Sequence, residues 1–225
     1  MSLRVSHCVL IEATDWPRAV HFYERAFGFP VQGYQNGMEL IAGPLRLFIE
    51  PGKKNALLIE LATEDIDQAR VKLRIAGFEE IVWNPERGHC SVVDPFGILW
   101  NVIEDKSQFI PQDPSELQET FIRAKVGINL PRSNDAAQFY SELLDSPLSR
   151  LADGTWIIDS GVMRLRISTS HLTFCCLWLG QDAPTHDLAE DGFDFDGDLA
   201  RDPFGVYWRV DSMPELTHAV TESGR

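Results

Sequence analysis

One seven-residue pattern occurs twice in this chain. Asp94-Pro95-Phe96-Gly97-Ile98-Leu99-Trp100 returns as Asp202-Pro203-Phe204-Gly205-Val206-Tyr207-Trp208, an offset of 108. It does not return alone. Phe22-Tyr23 recurs as Phe139-Tyr140 at an offset of 117, and Gly43 to Ile49 (GPLRLFI) resembles Gly161 to Ile167 (GVMRLRI) at 118. Ordered recurrence of this kind marks a duplicated unit. A chain of 225 residues is long enough for two domains of about 110 each. The expected division is a first domain over 1–105, a polar linker over 106–120 with Pro111 and Pro114, a second, degenerate domain over 121–212, and a tail over 213–225.

The first half contains a smaller repeat. Val5 to Ala13 is apolar and rich in β-branched residues, so it reads as a strand. Asp15 caps the helix that follows, Pro17 fits its first turn, and Ala19, Phe22, Tyr23, Ala26 and Phe27 recur at helical spacing. Gly28 supplies a left-handed stop. Three short strands follow, with turns at Asn36-Gly37 and Gly43-Pro44. The order then restarts. Ala56 to Ala62 is a strand, Ile66, Ala69 and Leu73 mark a helix, and three more strands end with one opened by a type I turn over Asp94 to Gly97. The second half repeats the order through strands at Val126 to Leu130 and Thr173 to Leu179. The offset then falls by about ten residues between Leu179 and Asp202. The fourth helix belongs there, and Gln181 to Asp198 is acidic and turn-like, so a helix shortened or lost is expected.

The formal charge of −14 disfavours nucleic acid and anionic membrane as partners and is compatible with a cationic ligand. Cys8, Cys90, Cys175 and Cys176 follow no disulfide or zinc spacing, which points to reduced thiols in a cytoplasmic protein. No signal-peptide pattern and no membrane-spanning apolar run is present in the sequence.

The helix pattern Asp15, Ala19, Phe22-Tyr23, Phe27-Gly28-Phe29, closed later by Asp-Pro-x-Gly and an apolar strand, resembles the vicinal oxygen chelate superfamily. That group holds glyoxalases, bleomycin-resistance proteins and extradiol dioxygenases. The resemblance implies an α+β fold of four βαβββ-type modules forming two cupped half-barrel domains, the fourth module with a reduced helix. In the family's metal enzymes, His, Gln or Glu on inward positions of the first and last strands of each unit hold a metal. Alignment on the helix puts Cys8 at the first of these positions, Leu58 on the fifth strand and Asn101 on the last, with Glu50 nearby. A slip of one residue would bring in His7 instead of Cys8. The second domain offers Lys125, Cys176 and Arg209. This set is poor in metal donors, so no metal and no other cofactor is expected. Asp194 to Asp198 copies the start of a calcium loop, but Leu199 and Gly205 stand where Gly and Glu are needed.

Alternation sends Val9, Ile11 and Ala13 to the helices and Cys8, Leu10 and Glu12 to the cup. Phe48, Leu58, Glu60 and Asn101 complete the expected ligand-binding set. Glu12 and Glu60 each have two readings: a pocket carboxylate that pairs a ligand cation or acts as a general base, or an ion pair with Arg46 or another arginine across the sheet. Trp83 and Trp100 are candidate aromatic walls or core. Three functions are compatible with these residues. The first is a metal-free binder of a small organic molecule, cationic or aromatic. The second is a lyase, isomerase or dioxygenase of the same superfamily. The third is a regulatory or interaction module without a tight ligand. A tandem pair can build internally what single-domain relatives build as dimers, so a monomer or weak homodimer is expected.

Overall fold

In the computed structural model, residues 2–28, 30–34, 36–42, 45–87, 89–105, 122–160, 163–180, 183 and 185–211 are described. The expected linker at 106–120, the tail at 213–225 and the Gly43-Pro44 turn lie outside them. The first half contains β1 (Leu3–Ala13), α1 (Trp16–Phe27), β2 (Val31–Tyr34), β3 (Gly37–Ala42) and β4 (Leu45–Pro51). It continues with β5 (Ala56–Thr63), α2 (Ile66–Ile75), β6 (Glu79–Asn84), β7 (His89–Val93) and β8 (Leu99–Glu104). The second half contains β9 (Ile122–Leu130), α3 (Ser133–Leu144), β10 (Leu148–Arg150), β11 (Trp156–Ser160) and β12 (Met163–Thr169). It ends with β13 (Phe174–Leu179), α4 (Thr185–Glu190), β14 (Asp194–Asp196), β15 (Leu199–Arg201) and β16 (Tyr207–Val210).

Each half forms one eight-stranded mixed sheet with the same order, β2-β3-β4-β1-β5-β8-β7-β6 and β10-β11-β12-β9-β13-β16-β15-β14. This is the expected α+β pair of cupped domains. Local chemistry sets the first helix as the sequence predicts. The Asp15 carboxylate accepts from the Arg18 amide at 3.4 Å, and Gly28 closes the helix at φ 66°. Gly37 is needed where β3 passes β4, because a Cβ there would lie 2.2 Å from the Ile49 carbonyl oxygen.

The repeated signature turns out to be the joint between the halves. Helix α1 packs on the second half, with Phe22 against Phe193 at 5.4 Å and Phe204 at 5.5 Å. Helix α3 packs on the first, with Phe139 against Phe78 at 6.0 Å and Phe96 at 5.4 Å. The Tyr23 hydroxyl donates to Asp202 Oδ2 at 2.5 Å, and the indole of Trp208 donates to the same oxygen at 2.9 Å. In the mirror arrangement the Tyr140 hydroxyl and the Trp100 indole both donate to Asp94 Oδ2. The other oxygen of each aspartate accepts two turn amides, Phe204 and Val206 or Phe96 and Ile98. All six side chains are buried. The convex faces of both sheets thus share α1 and α3, and the concave faces turn away from each other.

The fourth module carries the reduced helix expected of it, shortened to six residues. The acidic stretch after it is a β14–β15 hairpin, in which Asp194 faces Arg201 and Asp196 faces Leu199, where a solvated turn was expected. Separations between equivalent residues locate the deletion. They are 118 at Glu60 and Trp178, 115 at Phe78 and Phe193, and 108 at Asp94 and Asp202. Most of the loss therefore falls in the hairpin after the helix. The three-residue β10 was also not foreseen; such a short edge strand carries little periodicity.

Candidate functional site

Strand pairing assembles the concave face of the first sheet. Cys8, Leu10 and Glu12 of β1 lie beside Arg46, Phe48 and Glu50 of β4. Leu10 also faces Leu58 of β5, and Glu60 lies beside Asn101 of β8. All seven expected ligand-binding residues share this face. Their helix-side neighbours Val9, Ile11, Leu47, Ile59 and Trp100 are fully buried in the core, as alternation requires. Trp83 is not in the cup; it sits beneath Arg70 of α2, 5.1 Å from the guanidinium carbon.

Glu60 is the chemical centre of the face. It lies mid-strand and is 5% exposed. Its Oε2 accepts from the Asn101 amide at 3.3 Å, while Oε1 is buried with no hydrogen-bond partner. The expected alternative partner, Arg46, bonds Glu39 Oε1 instead, at 2.9 Å, because Glu39 on β3 is closer to its strand. Burial pushes the Glu60 carboxyl up to about 7, while the nearby Ser6 hydroxyl, the Asn101 amide and the Cys8 thiol pull it down. Ser6 and Cys8 both reach it because β1 shifts register against β5 between Val5 and Val9. Burial first, and Glu60 second, hold the Cys8 thiol well above its ordinary range. Ser91, beside Asn101 on β7, adds a second buried oxygen without a partner.

The floor is closed: Cys8, Leu10, Leu58, Glu60 and Asn101 are all buried. The accessible part is the mouth, formed by half-buried Glu12, Tyr34, Phe48 and Glu50. Tyr34 meets Phe48 edge-on at 4.9 Å and donates its hydroxyl to Glu50. Burial and that bond push the Tyr34 phenol up. Glu12 is also raised, by burial, with Glu50 adding to it and His89 and Lys54 opposing. Sequence reasoning missed Ser6, Tyr34, Glu39, Ser91 and His89. Alternation puts Ser6 on the cup face, two residues before Cys8, but only the register shift brings it to Glu60.

No family model matches the sequence, and no curated protein does. Solved structures match over nearly the whole chain. A Mn(II)-bound glyoxalase from Novosphingobium aromaticivorans aligns with a TM-score of 0.62 at 15% identity, covering 92% of this chain and 82% of that one. A variant of 4-hydroxymandelate synthase from Streptomyces coelicolor gives 0.60 at 12%, covering 93% and 92%. Homoprotocatechuate 2,3-dioxygenase from Arthrobacter globiformis gives 0.59 at 14%, covering 92% and 79%. The chain has the vicinal oxygen chelate fold. At these identities the likeness establishes the fold and leaves the chemistry to the side chains.

The vicinal oxygen chelate metal does not fit the donors present. Cys8 is a buried thiol where the family has a His, Leu58 has no donor atom, and Asn101 offers a neutral amide already bonded to Glu60. Cys8, and not His7, takes the inward place, since it is Cys8 that stands in register with Arg46 and within reach of Glu60. Glu50, the remaining acid, is engaged by Tyr34 and stands 3.9 Å from His89 Nδ1. Among the described residues no group of three or more His, Cys, Asp or Glu is placed to hold a metal ion. All four cysteines are free thiols. Among the described residues no helix is long and apolar enough to cross a membrane.

Proposed function

We propose that this chain binds a small organic molecule in the first cup without a metal, with Glu60 as the anchor. One observation carries the reading. A buried carboxylate has an oxygen with no partner, and such a group is costly unless something donates to it. A ligand cation or N–H donor would supply the missing bond. The aromatic pair Tyr34 and Phe48 and the acids Glu12 and Glu50 at the mouth favour a ligand both cationic and aromatic. Thermal shift of the whole chain against cationic aromatic amines tests this. Stabilisation of the wild type that disappears in Glu60→Gln, and that is stronger at pH 8 than at pH 6, is the expected result. No stabilisation across a broad panel would sink the proposal.

Two observations favour other readings. The structural relatives include a Mn(II)-bound glyoxalase and dioxygenases, which supports a metal-dependent lyase, isomerase or dioxygenase. Elemental analysis of freshly purified protein separates this reading, since a full equivalent of bound Mn, Fe, Ni or Zn would favour it. The closed floor favours an interaction module without a tight ligand, and the same thermal panel distinguishes that case. Localisation in the cytoplasm and a monomeric or weakly dimeric state belong to the proposal too. Size-exclusion chromatography with light scattering checks the latter.

A further inference from the structure

The second cup is built on the same registers and lined with different chemistry. Gly127 lies beside Arg166 where Leu10 lies beside Phe48, and Trp178 lies beside Arg209 where Glu60 lies beside Asn101. Lys125 takes the place of Cys8, in register with Arg164. Trp178 is buried, and three cations surround its ring. Arg166 lies 4.4 Å from the centroid, Arg209 5.6 Å and Lys125 5.7 Å. Gly127 makes room for the indole, since a Cβ there would lie 3.2 Å from Trp178 Nε1 and 2.5 Å from Cys176 Sγ.

The counter-charges are uneven. Lys125 meets Asp211 at 3.2 Å, and both are largely buried. Arg209 Nε stands 3.4 Å from Asp198, whose side chain is 51% exposed, and Arg166 stands 3.8 Å from Asp153, which is 60% exposed. Exposed Asp198 at that distance does little for the half-buried Arg209 guanidinium. Cys176, in the same floor, is a neutral thiol: burial pushes it up to about 11 even though Arg209 and Arg166 pull it down. Two donors are left over. Trp178 Nε1 and Arg209 Nε are buried with no hydrogen-bond partner. Beside them on the same face, Phe174 and Tyr207 form an aromatic wall, ring centroids 4.8 Å apart.

The geometry points to a second site, of opposite charge to the first, that takes an aromatic carboxylate. Its carboxylate accepts from Trp178 Nε1 and from the Arg209 guanidinium, with Arg166 and Lys125 adding field. Its ring lies along Phe174 and Tyr207. A donor pair of this kind suits a planar carboxylate, and the aromatic wall selects an organic acid over an inorganic oxyanion. The inference is independent of whether the first cup binds anything.

Isothermal titration calorimetry on the full chain, at fixed ionic strength, with sodium benzoate, acetate and inorganic phosphate as separate probes, tests it. Benzoate is expected to bind one site per chain, with acetate and phosphate weaker by about ten-fold or more. Arg209→Gln and Trp178→Phe should each weaken benzoate by about ten-fold, the loss of one charge-assisted or buried hydrogen bond. Arg74→Gln, at an exposed pair with Glu80, is the charge control and should leave binding unchanged. Trp178 is buried, so Arg209→Lys serves as a milder variant; it keeps the charge, loses the planar fork, and should also weaken benzoate. No benzoate binding to the wild type overturns the site. So does benzoate binding that Arg209→Gln and Arg209→Lys leave intact. Phosphate binding as tightly as benzoate overturns the aromatic-acid assignment.

Discussion

Leu10, Phe48, Glu60 and Asn101 in the first cup answer to Gly127, Arg166, Trp178 and Arg209 in the second. On the other side of the same sheets, Trp100 answers to Trp208, and in the turns that lead to them Asp94 answers to Asp202, unchanged. Duplication has kept the convex faces, which must fit one another, and released the concave faces, which touch only what enters them. Two neighbouring positions on one strand can therefore be under opposite constraints, because alternation sends one to the joint and the other to the cup.

The largest effect should come from the side that did not diverge. Asp202→Ala strips acceptors from Tyr23, Trp208 and two turn amides, and should cost about 3–5 kcal/mol in denaturant unfolding. Asp94→Ala should cost a similar amount. A cost for one several-fold smaller than for the other would break the symmetry of the joint. Next is Glu60, whose carboxyl is held near 7 in the fold against an ordinary 4.5. The folded state keeps the proton longer than the unfolded chain. Stability is then fullest below about 4.5 and declines by about 3 kcal/mol as pH rises to above 7. Glu60→Gln should abolish that slope in urea titrations at several pH values; Trp178, its counterpart, titrates nothing.

A smaller loss follows from filling the gap that distinguishes β9 from β1. Gly127→Ala should destabilise by about 1–3 kcal/mol, through overpacking against Cys176 and Trp178. Calorimetric melting checks it, and an unchanged Tm would mean that Trp178 has another place to go. The smallest effect belongs to the second module, on its helix side. Glu80 on β6 is gripped by Arg70 and Arg74 of α2, which hold its carboxyl down to about 2. These groups face solvent, so Glu80→Gln should cost under about 1 kcal/mol. The loss should be present above the ordinary carboxylate range and fade as pH falls towards 2.

Much of the first half was legible because its rules are local. Asp15, Pro17 and Gly28 punctuate α1, and alternation along β1 sorted Val9, Ile11 and Ala13 from Cys8, Leu10 and Glu12. What alternation cannot supply is a partner across the sheet. Arg46 was paired with Glu60 in one reading and is in fact bonded to Glu39, a choice made by strand order. Ser6 joins Glu60 only through a register shift, which no periodicity announces. The cationic second cup is half legible: the repeat gives Lys125 and Arg209, while Arg166 at the position of Phe48 is identified as a lining residue only by the strand register. The β14–β15 hairpin was masked by its aspartates, which favour turns until pairing with Leu199 and Arg201 overrides them.

The crossed tyrosines have a consequence for how this protein could be divided. Tyr23 satisfies an aspartate in the other half, and Tyr140 returns the favour. A chain cut between the halves would leave each fragment with a buried carboxylate short of a donor and a helix face without its aromatic bed. Neither fragment is then a smaller version of the whole. The two should be recoverable only together, as complementary pieces that find each other, and a lesion in one cup's supporting strands should be felt by the other as a loss of its own foundation.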